Sequence, residues 1–345
     1  MREDPGLDAC EVAASLGAHY GLRVLSVVLL PLGYDPYAAV YRVGSREGDV
    51  FFLKVKFGPV HEPGLRVPRA LIEGGVPNVL APLRTRSGGL WCPLDGRPDC
   101  NLVLHPFVEG ESAMVSGLSD EQWREFGRTL RAVHDGGFGK CFRGLLPAEA
   151  FSLPSAAPVW RLLALVHEKE FEGEAAAGLA AFWRGNAGRI ERILARAEEL
   201  GGRLRARPFE LVLCHADIHA ANIIVGDDGR LYLIDWDGPL VAPRERDLLF
   251  VVGSKIARAV EPSEEALFFE GYGPVEIDPD ALIYFRYERI IEDIGEFGKS
   301  VFLRPDLGER ARAEEAGLVR SFFAPGNVVE CAETVIPSWP RTMPA

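Results

Sequence analysis

Four polar residues in one stretch of the chain have the chemistry of a metal-dependent reaction. They are His215, Asp217, Asn222 and Asp235, and the last two bracket a pair of short apolar runs. Carboxylate and amide oxygens suit a hard cation such as Mg²⁺, which keeps room for phosphate oxygens. Asp217 stands five residues before Asn222 and is available as a nearby base. The stretch therefore predicts a magnesium site beside a general base.

The two apolar runs, 223–225 and 231–234, predict a β-hairpin because a Gly/Asp-rich turn separates them. If Asp228-Gly229 forms a two-residue loop, the register pairs Asn222 with Asp235. A four-residue loop shifts the pairing, but both side chains still end neighbouring strands at the same edge. Either loop brings the amide and the carboxylate close together.

The spacing of these residues matches the catalytic loop of kinases, H-x-D-x-x-x-x-N followed by a later Asp. A second histidine, His219, follows Asp217, and in this respect the stretch resembles the aminoglycoside phosphotransferase family, a small-molecule branch of the protein-kinase-like fold. The resemblance covers most of the chain and is densest in residues 211–251. One difference from the protein kinases is that Asp-Trp-Asp at 235–237 lacks the glycine of their D-F-G, so no in/out switch is expected there.

The resemblance implies a role for each of these residues. Asp217 would be the catalytic base that receives the proton of an acceptor hydroxyl, and Asn222 and Asp235 would hold Mg²⁺. His215 and Asp247 would be supporting residues, because the family's equivalent of Asp247 orients the catalytic loop.

A lysine interrupts the third of three apolar strand-like runs near the N-terminus, 24–30, 38–43 and 50–55. A lysine inside a buried strand is costly unless its ammonium meets an anion, so Lys54 is a candidate for nucleotide phosphates. Taken alone, such a lysine is more often an edge-strand charge or a snorkelling side chain. Its place after a loop that carries Gly33 matches the phosphate lysine of the kinase fold.

Two further nucleotide contacts follow from the kinase resemblance. A helical glutamate pairs with the phosphate lysine in that fold, and Glu62 is the first candidate here, with Glu73 as the second. The strand that ends near residue 107 passes into a polar linker and resembles the hinge. The resemblance implies that the backbone of His105 and Phe107 contacts the adenine ring.

Composition limits the class of partner. The chain has 345 residues, a formal charge of −12 and 48 % hydrophobic residues, which indicates a globular protein with no affinity for nucleic acid or anionic membranes. Six scattered cysteines, the lack of an apolar leader and the lack of a long apolar run predict a soluble, cytoplasmic protein. The sequence leaves the oligomeric state open.

The expected fold class is α+β, a two-lobed protein-kinase-like fold. Residues 1–107 are predicted to form a nucleotide-binding lobe around a small antiparallel sheet. Residues 108–345 are predicted to form a larger, mainly helical lobe with the catalytic loop and the substrate-binding helices.

The last long helix is predicted to start at Asp278-Pro279, which suit a cap and a first turn. Glu288, Glu292 and Glu296 recur on one face of it. We expect Glu288 and Glu292 to bind a cationic substrate; the alternative is a solvated acidic face partly neutralised by Arg289 and Lys299.

The predicted reaction is the Mg²⁺-dependent transfer of the γ-phosphoryl group of ATP or GTP to a hydroxyl of a small cationic molecule. The resemblance implies an aminocyclitol or aminoglycoside antibiotic as the acceptor. Three alternatives stay open: a kinase of another metabolite such as choline or an amino sugar, a kinase-like nucleotide-binding module without catalysis, and a metallohydrolase. The metallohydrolase lacks metal ligands in the sequence. A zinc site would need a Glu directly after His215, and an iron site would need a further His after His219, and the chain has neither.

Overall fold

The computed structural model describes residues 5–30, 37–304 and 306–333. The chain divides into two compact units, Met1–Leu146 with Ala220–Pro239, and Pro147–His219 with Leu240–Ala345. The functional division at residue 107 stays a prediction.

The structure contains ten strands and twelve α-helices in its described part. The strands are β1 (Val24–Leu30), β2 (Ala38–Ser45), β3 (Val50–Phe57), β4 (Cys92–Leu94), β5 (Arg97–Pro106), β6 (Gly110–Ser112), β7 (Val212–Cys214), β8 (Ile223–Gly226), β9 (Leu231–Leu233) and β10 (Leu240–Ala242). The helices are α1 (Ala9–Tyr20), α2 (Pro63–Glu73), α3 (Ala113–Ser116), α4 (Asp120–Asp135), α5 (Phe138–Cys141), α6 (Ala156–Glu168), α7 (Glu174–Leu204), α8 (Glu245–Leu248), α9 (Pro262–Tyr272), α10 (Pro279–Leu303), α11 (Glu309–Phe322) and α12 (Val328–Glu333).

The first unit is built on an antiparallel sheet with strand order β1-β2-β3-β5-β4. Side chains alternate between the two faces of a strand, so Leu53 and Val55 enter the core while Lys54 between them points to the opposite face. Helix α1 covers the core face with Val12 and Leu16. The alternation explains how a lysine is accommodated in the central strand of this sheet.

A second sheet of the first unit, with strand order β6-β8-β9, contains the predicted hairpin. The predicted register is wrong by one residue, because Ile223 pairs with Leu233 and the carbonyl of Asn222 accepts from the N–H of Ile234 at 3.0 Å. The cause is a three-residue loop closed by Gly226 and Arg230, in which Gly229 has φ +80°. A type I turn followed by a left-handed glycine is the usual form of such a loop.

The second unit is mainly helical. Helices α6, α7 and α10 pack on one another around large buried aromatic rings, among them Trp183 and Tyr284. Asp278 caps α10 by accepting the N–H of Ala281, and Pro279 occupies the first turn, so the predicted start of this helix is confirmed. Strands β7 and β10 pair beside these helices, with Leu240 opposite Cys214. In the described residues, no helix is both long enough and apolar enough to cross a membrane.

Candidate functional site

The ammonium of Lys54 lies between two carboxylates of the first unit. Its Nζ is 3.2 Å from Oδ1 of Asp235 and 2.8 Å from Oδ2 of Asp237. Burial by itself would lower the pKa of Lys54, but the two carboxylates outweigh that effect and raise it above its usual value. Lys54 is therefore a fixed cation next to the carboxylate that the sequence predicts as a metal ligand.

Asp237 is a residue of this cluster that the sequence analysis missed. It also accepts a hydrogen bond from Lys56 at 3.0 Å, and Lys54 and Lys56 project from the same face of β3 because they are two residues apart. Burial would raise the pKa of Asp237, but the two lysines lower it to about 2. The sequence does contain a signal for this cluster, because lysine recurs two residues apart at 54 and 56 and aspartate recurs two residues apart at 235 and 237.

Asn222 and Asp235 lie at the ends of neighbouring strands, as the sequence predicts. Asn222 is buried and ends a 3-10 turn, Ala220–Asn222, directly before β8. Asp235 follows β9 by two residues and has φ +60°, which is uncommon for a residue other than glycine. The donor set of amide and carboxylate oxygens fits Mg²⁺, and Asp237 adds a further carboxylate to it.

The predicted pairing of Lys54 with a glutamate of α2 is not present in this structure. Glu62 pairs with Arg66 at 2.6 Å, and Glu73 pairs with Arg69 and Arg84 at 3.0 and 2.8 Å. The reason is the orientation of α2. Gly64 lies against the segment that carries Asp235, and both glutamates project from the opposite face.

A Cβ added to Gly64 would lie 2.7 Å from the carbonyl oxygen of Trp236, so only glycine permits this close approach. The opposite face of α2, with Glu62 and Glu73, lines a cavity of about 400 Å³ whose wall also includes Trp91 and Phe142. This cavity contains neither Lys54 nor the 235–237 segment.

The remaining predicted nucleotide contacts are Gly33, His105 near the end of β5, and Phe107 directly after that strand. The N–H of Phe107 already donates to the carbonyl of Val50 at 3.3 Å. Burial and the nearby charge of Lys54 lower the pKa of His105 to about 4, so its imidazole is neutral at pH 7. Gly33 lies outside the described residues, and the adenine contacts of His105 and Phe107 stay predictions.

In the second unit, Asp247 holds the start of the predicted catalytic loop. Its two carboxylate oxygens accept the backbone N–H groups of His215 at 2.9 Å and Ala216 at 2.7 Å. Ala216 has φ +71°, a strained value for alanine, and Asp247 is fully buried. Nδ1 of His215 accepts the N–H of Asp217 at 3.3 Å, so in this arrangement its ring proton is on Nε2.

The predicted base, Asp217, is partly exposed and has two basic neighbours in the second unit. Oδ1 lies 2.6 Å from Nη1 of Arg289 and 3.4 Å from Nε2 of His219. Arg289 projects from α10, and the sequence analysis considered it only as a neutralising charge on an acidic face. No local pattern links it to Asp217, because the two residues are 72 positions apart.

The predicted substrate face of α10 is not uniform. Glu288 is buried and lies 3.3 Å from Arg246, while the half-exposed Glu292 is 3.8 Å from the same guanidinium. Burial raises the pKa of Glu288 to about 7, although Arg246 opposes the shift. Glu296 pairs with Lys299 at the surface. Of the three glutamates, only Glu296 therefore fits the alternative prediction of a solvated acidic face neutralised by nearby basic residues.

The model of the phosphotransferase enzyme family matches residues 33–285, and the chain therefore belongs to this family. The longer motif 214–219, together with residues 235–237 and 242–248, predicts a particular similarity to spectinomycin phosphotransferase. This similarity is confirmed by two solved structures. The complex of that enzyme with ADP and spectinomycin is 29 % identical over 96 % of this chain and 99 % of that chain, with a TM-score of 0.86. Its AMP-bound complex is 29 % identical over 95 % and 98 %, with a TM-score of 0.82.

A choline kinase from Streptococcus pneumoniae is 17 % identical over 90 % of this chain and 98 % of that chain, with a TM-score of 0.52, and shows the fold alone. The predicted kinase-like α+β fold and the predicted class, an ATP-dependent phosphotransferase with an alcohol group as acceptor, are confirmed by these matches. The roles of the individual residues stay predictions.

Proposed function

We propose that this enzyme transfers the γ-phosphoryl group of ATP, or of GTP, to a hydroxyl of an aminocyclitol or aminoglycoside antibiotic similar to spectinomycin. The observation that carries the proposal is the match to spectinomycin phosphotransferase along almost the whole of both chains. The activity would confer antibiotic resistance from the cytoplasm, where ATP is available. Residues 1–107 would bind the nucleotide, and residues 108–345 would supply the catalytic loop and the substrate helices.

On the nucleotide side, Lys54 would donate to phosphate oxygens, and Asn222 and Asp235 would hold Mg²⁺. Bound Mg²⁺ would neutralise phosphate charge and orient the transferring group. The contacts of Lys54 with Asp235 and Asp237 support this assignment, because they keep a protonated ammonium beside the predicted metal ligand.

On the acceptor side, Asp217 would take the proton of the acceptor hydroxyl while the hydroxyl oxygen forms a bond to the γ-phosphorus. The bond from phosphorus to the β–γ bridging oxygen breaks, and ADP leaves with the electron pair. Asp247 would support the step by holding the N–H groups of His215 and Ala216. The role of base fits Asp217, because its carboxylate is partly exposed and the backbone of its loop is anchored on the buried carboxylate of Asp247.

A cationic acceptor is supported by the charge of the second unit near Asp217. Arg289 is shared between Asp217 and Asp293, and Glu292, which directly precedes Asp293 in α10, is a third carboxylate near it, so carboxylates outnumber this guanidinium. The formal charge of −12 acts in the same direction at longer range.

The test is a substrate screen by mass spectrometry with Mg²⁺ and ATP or GTP, in which a product gains one phosphate. Spectinomycin, two aminoglycosides, choline and an amino sugar would be compared. Phosphorylation of spectinomycin or an aminoglycoside is expected. A kcat/KM higher for choline or the amino sugar than for every antibiotic would refute the acceptor class.

Two variants test the residue roles. Asp217→Asn is expected to lower kcat about 10²- to 10⁴-fold without changing the affinity for nucleotide, because the base contacts only the acceptor. Asp235→Ala should weaken binding of Mg²⁺-ATP as well as the rate. A near-wild-type rate for Asp217→Asn, or unchanged Mg²⁺-ATP affinity for Asp235→Ala, would contradict the respective assignment.

A further inference from the structure

Arg289 has three neighbours that together determine where its guanidinium points. Nε donates to the carboxylate of Asp293 at 3.0 Å, Nη1 donates to Oδ1 of Asp217 at 2.6 Å, and the guanidinium carbon lies 5.7 Å from the ring centre of Phe250. A guanidinium is planar and rigid, so fixing one edge and one face fixes the direction of its remaining donors. The orientation of Asp217 is thereby set from α10.

The electrostatic environment keeps this arginine charged. Burial would lower the pKa of Arg289, but Asp293, Asp217 and Glu292 outweigh that effect and raise it. Burial raises the pKa of Asp293 to about 6, against the opposing effect of Arg289. Without the guanidinium, the carboxylates of Asp217 and Asp293 would lose the one cation that both of them contact among the described residues.

We propose that Arg289 is a positioning residue for phosphoryl transfer, and that it acts by orienting the carboxylate of Asp217 toward the acceptor hydroxyl. The inference rests on the proposed function, because it requires Asp217 to be the base. Asp293 and Phe250 serve as the support that holds the arginine in place. Misplacement of a reacting group by about 1 Å can cost on the order of 100-fold in rate, which sets the scale of the expected effect.

The proposal predicts a particular pattern of kinetic changes. Arg289→Ala should lower kcat roughly 10- to 100-fold while the KM for ATP changes less than about 2-fold, because the nucleotide ligands are untouched. Arg289→Lys keeps the charge but cannot bond two carboxylates with one rigid plane, so it should recover only part of the rate. Guanidinium ion added to Arg289→Ala should restore activity in a concentration-dependent manner.

The matched control is Arg286→Lys on the same helix. Arg286 is also largely buried, but it donates to the carbonyl oxygens of Val252 and Cys331. If Arg289 had only a structural role, Arg289→Lys and Arg286→Lys would lose stability and rate in parallel. Added guanidinium would then not restore the rate of Arg289→Ala.

A double-mutant cycle with Asp217→Asn closes the test. Rates would be followed as ADP release with spectinomycin, and as hydrolysis of ATP by water, which needs no identified acceptor. We expect Arg289→Ala to have little further effect once Asp217 is Asn, because both changes disable one unit. Two results would overturn this inference and leave the proposed function intact. One is a kcat of Arg289→Ala within about 3-fold of wild type; the other is an equal fold-loss in kcat from Arg289→Ala whether residue 217 is Asp or Asn. An Asp217→Asn enzyme with the wild-type rate would instead overturn the assignment of the base and this inference with it.

Discussion

Replacing Asp247 by asparagine tests the support of the catalytic loop with almost no change in shape. The carboxylate is fully buried, and each of its oxygens accepts one backbone N–H, from His215 and from Ala216. An amide has only one oxygen, so its NH₂ group must face an N–H donor at one of these two positions. The variant therefore loses a charge-assisted hydrogen bond and leaves two buried donors opposed.

The magnitude follows from these contacts. A hydrogen bond to a charged group contributes about 1.5–3 kcal/mol, and an unsatisfied buried donor costs about 1–3 kcal/mol. We therefore expect the free energy of unfolding to fall by roughly 3 kcal/mol. Ala216 also holds a strained φ of +71° next to one of the lost bonds, so the loop should relax and move Asp217. A decrease in kcat of about 100-fold is expected.

Urea unfolding and steady-state kinetics would measure the two effects. The control is Asp278→Asn, because asparagine caps a helix as well as aspartate does and α10 keeps its cap. That variant should lose less than about 1 kcal/mol, from its exposed ion pair with Arg207. If Asp247→Asn unfolds within about 1 kcal/mol of wild type and keeps kcat within about 3-fold, the proposed support of the loop is refuted.

Two further predictions concern packing and pH. Gly64→Ala would place a Cβ 2.7 Å from the carbonyl oxygen of Trp236, so we expect a loss of about 1–3 kcal/mol in thermal unfolding and weaker Mg²⁺-ATP binding. Gly185→Ala in α7 meets open space and should be neutral or stabilising, and equal effects of the two changes would contradict the argument. Because burial raises the pKa of Glu288 from 4.5 to about 7, its contribution to stability is complete below about pH 4.5 and is lost as the pH rises to about 7. Glu288→Gln should remove about 3 kcal/mol of that pH dependence in urea unfolding, and an unchanged slope between pH 5 and 7.5 would refute the assignment.

Local patterns in the sequence were sufficient for much of the fold and for most of the proposed catalytic residues. The third apolar run near the N-terminus predicts the strand that carries Lys54, and the cap at Asp278 starts α10. The motif from His215 to Asp235 indicates the enzyme class, because its spacing depends on one loop and one hairpin. Such features depend on residues close together in the chain, where periodicity and turn chemistry leave a readable pattern.

The partners of the charged residues were decided only by the tertiary structure. Lys54 meets Asp237 and not Glu62, because α2 turns its glutamates away from the sheet lysine. Asp217 meets Arg289, and the buried Glu288 meets Arg246 where a solvated or substrate-facing carboxylate was expected. In a chain with 50 acidic and 38 basic residues, sequence alone does not single out these pairs. Their choice depends on which faces of distant helices and strands pack together, and that information resides in long-range contacts that have no local signature.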